Sequence, residues 1–179
     1  PGSPELALQV EKLLTAEGFT TAREIRRGFD HGTFVPLMIA FPEAQIPVVQ
    51  LSLVKGLDPS VHIAMGRALE PLRYEGVLII GSGMSYHNIR GFMSGDSKVS
   101  YVSKQFDDWL AKTVAIIDPD KRREVLTGWE KAPGAIESHP RSEHLVPLFV
   151  AAGAAGNDTG GRDYSGTLMG VAVSGHIFG

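Results

Sequence analysis

"IPVVQLSLVKGLDPSVHIAMGRALEPLRYEGVLIIGSGM", residues 46–84, decides the fold class. Its ends, Ile46 to Val54 and Val77 to Ile80, are short and largely apolar with many β-branched residues, and they read as buried strands. Between them Asp58 supplies a capping oxygen and Pro59 suits the first helical position, where a missing N–H costs nothing. A helix through "DPSVHIAMGRALEPL" follows. Strand, helix and strand at this spacing are the pattern of a parallel βαβ unit. The expected architecture is therefore α/β, a mostly parallel central sheet flanked by helices, with its chemistry at the carboxyl ends of the strands.

Working outward, Leu6, Val10, Leu13 and Leu14 recur at helical spacing, which predicts an amphipathic helix from Pro4 to Ala16, stopped by Gly18. Asp30 can cap a second helix through "HGTFVPLMIAF", which Pro36 confines or kinks. Residues 98–131 are predicted helical, with Phe106, Trp109, Leu110 and Val114 on one face and a break near "DPD" (118–120). Another helix starts near Ser142 and carries Leu145, Leu148, Phe149 and Ala152. "AAGAAGNDTGGRDYSG" (151–166) reads as a flexible glycine-rich loop, and "TLMGVAVSGHIFG" (167–179) as a closing strand. No repeat or linker divides the chain, so 1–179 is expected to be a single domain.

Composition narrows the function. Hydrophobic residues make up 43% and charged residues 21% of the 179, the balance of a folded globule. A net charge of −3 argues against a general nucleic-acid binder, which needs a basic face. The absence of cysteine removes disulfides, thiolate metal sites and thiol nucleophiles, and is compatible with the cytoplasm. No apolar run approaches the ~20 residues of a membrane helix.

Three stretches carry candidate chemistry. "GSGMSYHNIR" (81–90) leaves the carboxyl end of a predicted strand and presents His87. Its G-S-G is not the nucleophile elbow, and no phosphate-loop pattern completes it. "HPRSEHLVPLF" (139–149) brings two imidazoles and a carboxylate to a helix entry. Its spacing is not that of a zinc-protease helix, and a solvated helix start is the plainer reading. "GFDHGTFVPL" (28–37) sets Asp30 and His31 at the mouth of an apolar run, with Gly32 suggesting close approach of another group. His62 and His176 read as structural, and Asp107–Asp108 as a solvated helix face.

Together "RGFDHGTFVPLMIAFPEAQIPVVQLSL", "GSGMSYHNIR" and "HPRSEHLVPLFVAAGAAG" resemble the class III extradiol ring-cleavage dioxygenases, most of all the 4,5-DOPA dioxygenase branch. The resemblance implies that fold and a non-haem Fe(II) enzyme that cleaves a catechol, DOPA-like, with O2. It makes His144 the late metal ligand, with His139 the nearby alternative. His31 resembles a general acid, and His87 an acid–base histidine that also approaches the ion. Zinc can take the place of iron, since imidazole accepts both. Two further ligand histidines of the family belong to a stretch before "PGSPELA". The resemblance thus implies the C-terminal two thirds of such an enzyme, inactive alone, with core uncovered where a strand is lacking. The alternative is a non-catalytic interaction or regulatory protein on the same fold; a metal-dependent hydrolase or phosphorylase-like enzyme is a weaker third reading. "MGVAVSGHIFG" could pair at a sheet edge in a homo-oligomer.

Overall fold

The computed structural model describes residues 1–179. Helix α1 (Pro4–Ala16) is capped by Ser3, whose side chain accepts from the Leu6 N–H. Helix α2 (His31–Ala40) is capped by Asp30, and α3 (Pro59–Arg73) by Asp58, whose carboxylate accepts from Ser60 and Val61 N–H. The short α4 (Ile89–Phe92) follows. The predicted helical stretch resolves into α5 (Ser97–Val114), α6 (Pro119–Thr127) and a 3-10 turn at Trp129–Lys131, with the break at Asp118 as expected. Then come α7 (Ala135–Ser138), α8 (Val146–Ala154) and the strands β1 (Gly160–Leu168) and β2 (Val171–Phe178). No helix is long and apolar enough to cross a membrane.

The core has two parts. Phe106, Leu110, Leu126, Trp129, Leu145, Val146 and Phe149 join α5, α6, α8 and the turns between them. Leu14, Met65, Ala68, Leu69 and Leu72 join α1 to α3. Helices α3 and α8 meet backbone to backbone. A Cβ on Gly66 would collide with the Val150 carbonyl, so only glycine permits that approach. His62 is fully buried and structural, as expected. Its Nδ1–H donates to Asp58 O at 2.7 Å, and its Nε2 accepts from Val54 N–H at 3.0 Å.

The sheet differs from expectation. Both segments read as strands run beside α3, and Val54, Val77 and Ile79 pack on the α1–α3 core. Neither belongs to a sheet; the first makes one isolated parallel bridge, Gly2 to Val48. Residues 78–81 form no backbone–backbone hydrogen bond. The sole sheet is the antiparallel hairpin β1–β2. A mostly parallel central sheet is therefore absent, because the two extended segments find no partner edge. The stretch 151–166 is not one flexible loop either: it ends α8 and then pairs from Gly160 onward along β2. Asp107 also departs from the expected solvated face. It is 3% exposed and receives Arg162 Nη1 at 2.6 Å, tying the hairpin to α5.

Accessible surface totals 10,888 Å². A monomer of 19.2 kDa typically shows about 8,400 Å². Part of the exposed apolar surface lies where the sheet is unpaired. Leu78 and Ile80 are 74% and 55% exposed, and α2 buries none of its residues.

Candidate active site

The glycine turn lies against the entry of α8. A Cβ on Gly81 would press on the Pro147 carbonyl, and one on Gly83 would collide with that of His144. Met84 N–H donates to His144 O at 2.9 Å. The next residues are held from α7: His87 N–H donates to Ser138 O at 2.9 Å, and Asn88 Nδ2 to Glu137 O at 2.8 Å. These contacts bring two distant imidazoles together. The rings of His87 and His144 stack with centroids 3.5 Å apart and planes 29° from parallel.

His139 lies beneath them and has a different role. It is 1% exposed and meets Phe106 and Trp129 edge-on. Its Nε2–H donates to Ser85 O at 3.0 Å, leaving Nδ1 a buried acceptor without a partner. Burial pushes its pKa down to about 4, so near pH 7 it is a neutral packing group. Through its bond to Ser85 O, His139 supports the turn that carries His87. The pKa of His144 is also lowered, first by burial and then by the neighbouring His87, with a smaller contribution from His31. A neutral imidazole with a free lone pair is a good metal ligand.

His31 occupies the first position of α2, exposed to solvent. Two tethers hold this helix mouth. Ser82 Oγ–H donates to Gly32 O, the close approach that Gly32 suggested. Gln50 holds the other side. Its Oε1 accepts from Asp30 N–H at 3.0 Å and Thr33 Oγ1–H at 2.9 Å, while its Nε2 donates to Asp30 Oδ2 at 2.8 Å. Sequence reasoning missed Gln50; the available signal was an amide inside the largely apolar run 46–54.

A cleft of about 570 Å³ opens beside the turn, lined by His144, Gly81, Gly83, Met84 and the strand-like residues Val77 to Ile80. Neither His31 nor His87 lines it. The three imidazoles are thus joined through one turn, and two of them are in stacking contact. No three His, Cys, Asp or Glu side chains come together as a metal site. This chain's residues therefore do not by themselves fit a mononuclear ion; His144 and His87 form an incomplete set.

The family profile described as "Catalytic LigB subunit of aromatic ring-opening dioxygenase" matches residues 1–175. A 4,5-DOPA dioxygenase extradiol of Beta vulgaris is 44% identical over 160 residues, 89% of this chain and 59% of the relative. A dioxygenase named tasH from Hapsidospora irregularis is 35% identical over 99% of this chain and 58% of its own length. An uncharacterized Escherichia coli K12 protein of solved structure, JW3007, superposes with a TM-score of 0.82 at 32% identity, covering 99% of this chain and 73% of that one. The chain spans less than two thirds of the curated relatives it matches.

Proposed function

The chain belongs to the family of the catalytic LigB subunit of aromatic ring-opening dioxygenases, in its 4,5-DOPA dioxygenase branch, and we propose on that premise that the whole protein cleaves a catechol, DOPA-like, with O2. The carrying observation is the stacked His87–His144 pair on the turn that also anchors the helix of His31. In this reading His87 takes a proton from the catechol hydroxyl. His31, solvent-facing at a helix mouth, returns a proton to an oxygen of the opening ring. Histidine suits both tasks because its ordinary pKa is close to the working pH, and such a group contributes roughly 10²–10⁴-fold.

The proposed cofactor is Fe(II), with zinc able to occupy the same imidazoles. His144 would supply one of its ligands, with His87 stacked beside it as the base, and the rest would come from outside residues 1–179. When bound, such an ion would supply open coordination positions for catechol and O2. The additional polypeptide would also pair with the edges at 46–54 and 77–80 and complete a mostly parallel sheet, within one catalytic domain in the cytoplasm.

The test is to load the full-length protein with Fe(II) and L-DOPA anaerobically, admit air and look for a yellow ring-opened product. Absence of product with every catechol tried would overturn the reading. A second reading, a non-catalytic protein on the same fold, draws on the incomplete ligand set. It predicts that the full-length protein binds no iron stoichiometrically.

A further inference from the structure

We propose that Gln50 is the positioning residue for His31, acting as a two-way clamp on the N-terminus of α2. The inference rests on the assignment of proton transfer to His31. Asp30 and Thr33, which flank His31 and Gly32, both bond to this one amide. Gln50 Oε1 accepts from Asp30 N–H and Thr33 Oγ1–H at 3.0 and 2.9 Å, and Nε2 donates to Asp30 Oδ2 at 2.8 Å. The other Asp30 oxygen, Oδ1, accepts from Thr33 N–H at 3.2 Å. The capping carboxylate is thereby held from both sides.

These bonds matter because packing contributes so little. None of α2's residues is buried, and Phe34, Val35, Met38 and Ile39 are exposed. The other anchor at the helix mouth is the single bond from Ser82 to Gly32 O. A helix without a packed face takes its position from its hydrogen bonds, and a shift of about 1 Å in a catalytic group can reduce rate ~10²-fold. Gln50 lies on the extended segment whose Val54 packs against the α1–α3 core. The clamp therefore refers His31 to the rigid part of the molecule.

The chemistry requires a side chain that donates and accepts at once. Glutamate has the same shape but only accepts, so at position 50 it would set a second carboxylate against Asp30. Exchanging the two groups restores the pattern. In the double variant Asp30→Asn/Gln50→Glu, the new amide donates to the new carboxylate, and every other bond of the clamp can re-form.

The experiment uses the full-length protein and three variants: Gln50→Glu, Asp30→Asn and the double exchange. For Gln50→Glu, kcat is expected to fall about tenfold or more with KM little changed, and amide exchange at residues 32–35 to accelerate. The double exchange should restore both readouts to within about threefold of the parent. Parental kcat and exchange in Gln50→Glu would overturn the clamp. So would a double variant as impaired as Gln50→Glu, because Gln50 would then be acting elsewhere. If the parent shows no turnover at all, the dioxygenase reading falls, while the exchange data and their rescue still decide the clamp.

Discussion

The half of the molecule built from α5 to α8 and the hairpin is closed, whereas the half built from α2 and the extended segments at 46–54 and 77–80 is open. In the closed half, Phe106, Leu110, Val146 and Phe149 are 0% exposed. Even its buried arginine is satisfied: Arg122 donates to Ile116 O and Gly156 O, both at 3.0 Å, and its guanidinium lies over the Phe178 ring. In the open half, apolar side chains such as Ile39 and Leu78 are 81% and 74% exposed. The candidate site straddles the seam. His87, His139 and His144 are held by packing and backbone contacts of the closed half, whereas His31 is held by the hydrogen bonds of Gln50 and Ser82. In the proposed reading one half supplies rigidity, and the other presents the proton donor His31.

If that division is right, activity and stability should separate. The largest effect is expected at His31: His31→Ala should lower turnover by the full-length protein 10²–10⁴-fold while changing stability by less than about 0.5 kcal/mol. Steady-state kinetics and urea denaturation on the same preparation check it. Unchanged turnover would remove His31 from the chemistry, and a large loss of stability would mean that α2 is not a loosely held element.

Phe149→Ala in the closed half should show the reverse weighting. Truncating a fully buried aromatic leaves a cavity and is expected to cost about 3–5 kcal/mol, read as a lower denaturation midpoint. A cost below about 1 kcal/mol would show that the closed core is as loose as the open face.

How far the sequence foretells this contrast depends on the range of the interactions. Helices α1 to α3 follow from local signals: Asp30 and Asp58 cap where expected, and Pro4 and Pro59 sit at helix starts. The sheet does not follow, because pairing is a property of two segments. "VVQLSL" and "VLII" have strand composition and take extended backbone, but composition cannot say whether a partner edge is present. The hairpin was hidden for the opposite reason: Gly160, Gly161 and Gly166 suggested a loop, while the pairing of Gly160 with Phe178 and Leu168 with Val171 made strands of it. At the site, family motifs picked out His31, His87 and His144. Nothing in their spacing foretold that two would stack, that His139 would be their neutral support, or that Gln50 would hold Asp30.

The support role of His139 has a pH signature. Its imidazole titrates near its ordinary value of 6.5 in the unfolded chain but only at about 4 in the folded one, mainly because burial disfavours the charged form. The unfolded state therefore binds the proton first as pH falls. The contribution is fully present above about pH 6.5 and lost progressively toward pH 4, roughly 3 kcal/mol in all. Denaturation midpoints at pH 7 and pH 4.5 should differ accordingly, and His139→Phe should flatten much of that slope. An unaltered slope in the variant would show that other groups carry the acid sensitivity.

The smallest effect tests the open face most directly. Ile39→Ser replaces a side chain that is 81% exposed on α2, so in residues 1–179 alone it should shift stability by no more than about 0.5 kcal/mol. The full-length protein should respond differently if its additional polypeptide covers α2. There the same substitution would remove a buried aliphatic group and insert a hydroxyl, at a cost of about 2 kcal/mol or more. Parallel denaturation curves for both lengths, each with and without the substitution, isolate the difference. Equal small shifts in both would mean that α2 stays uncovered in the complete protein and that its exposed face belongs to the working molecule.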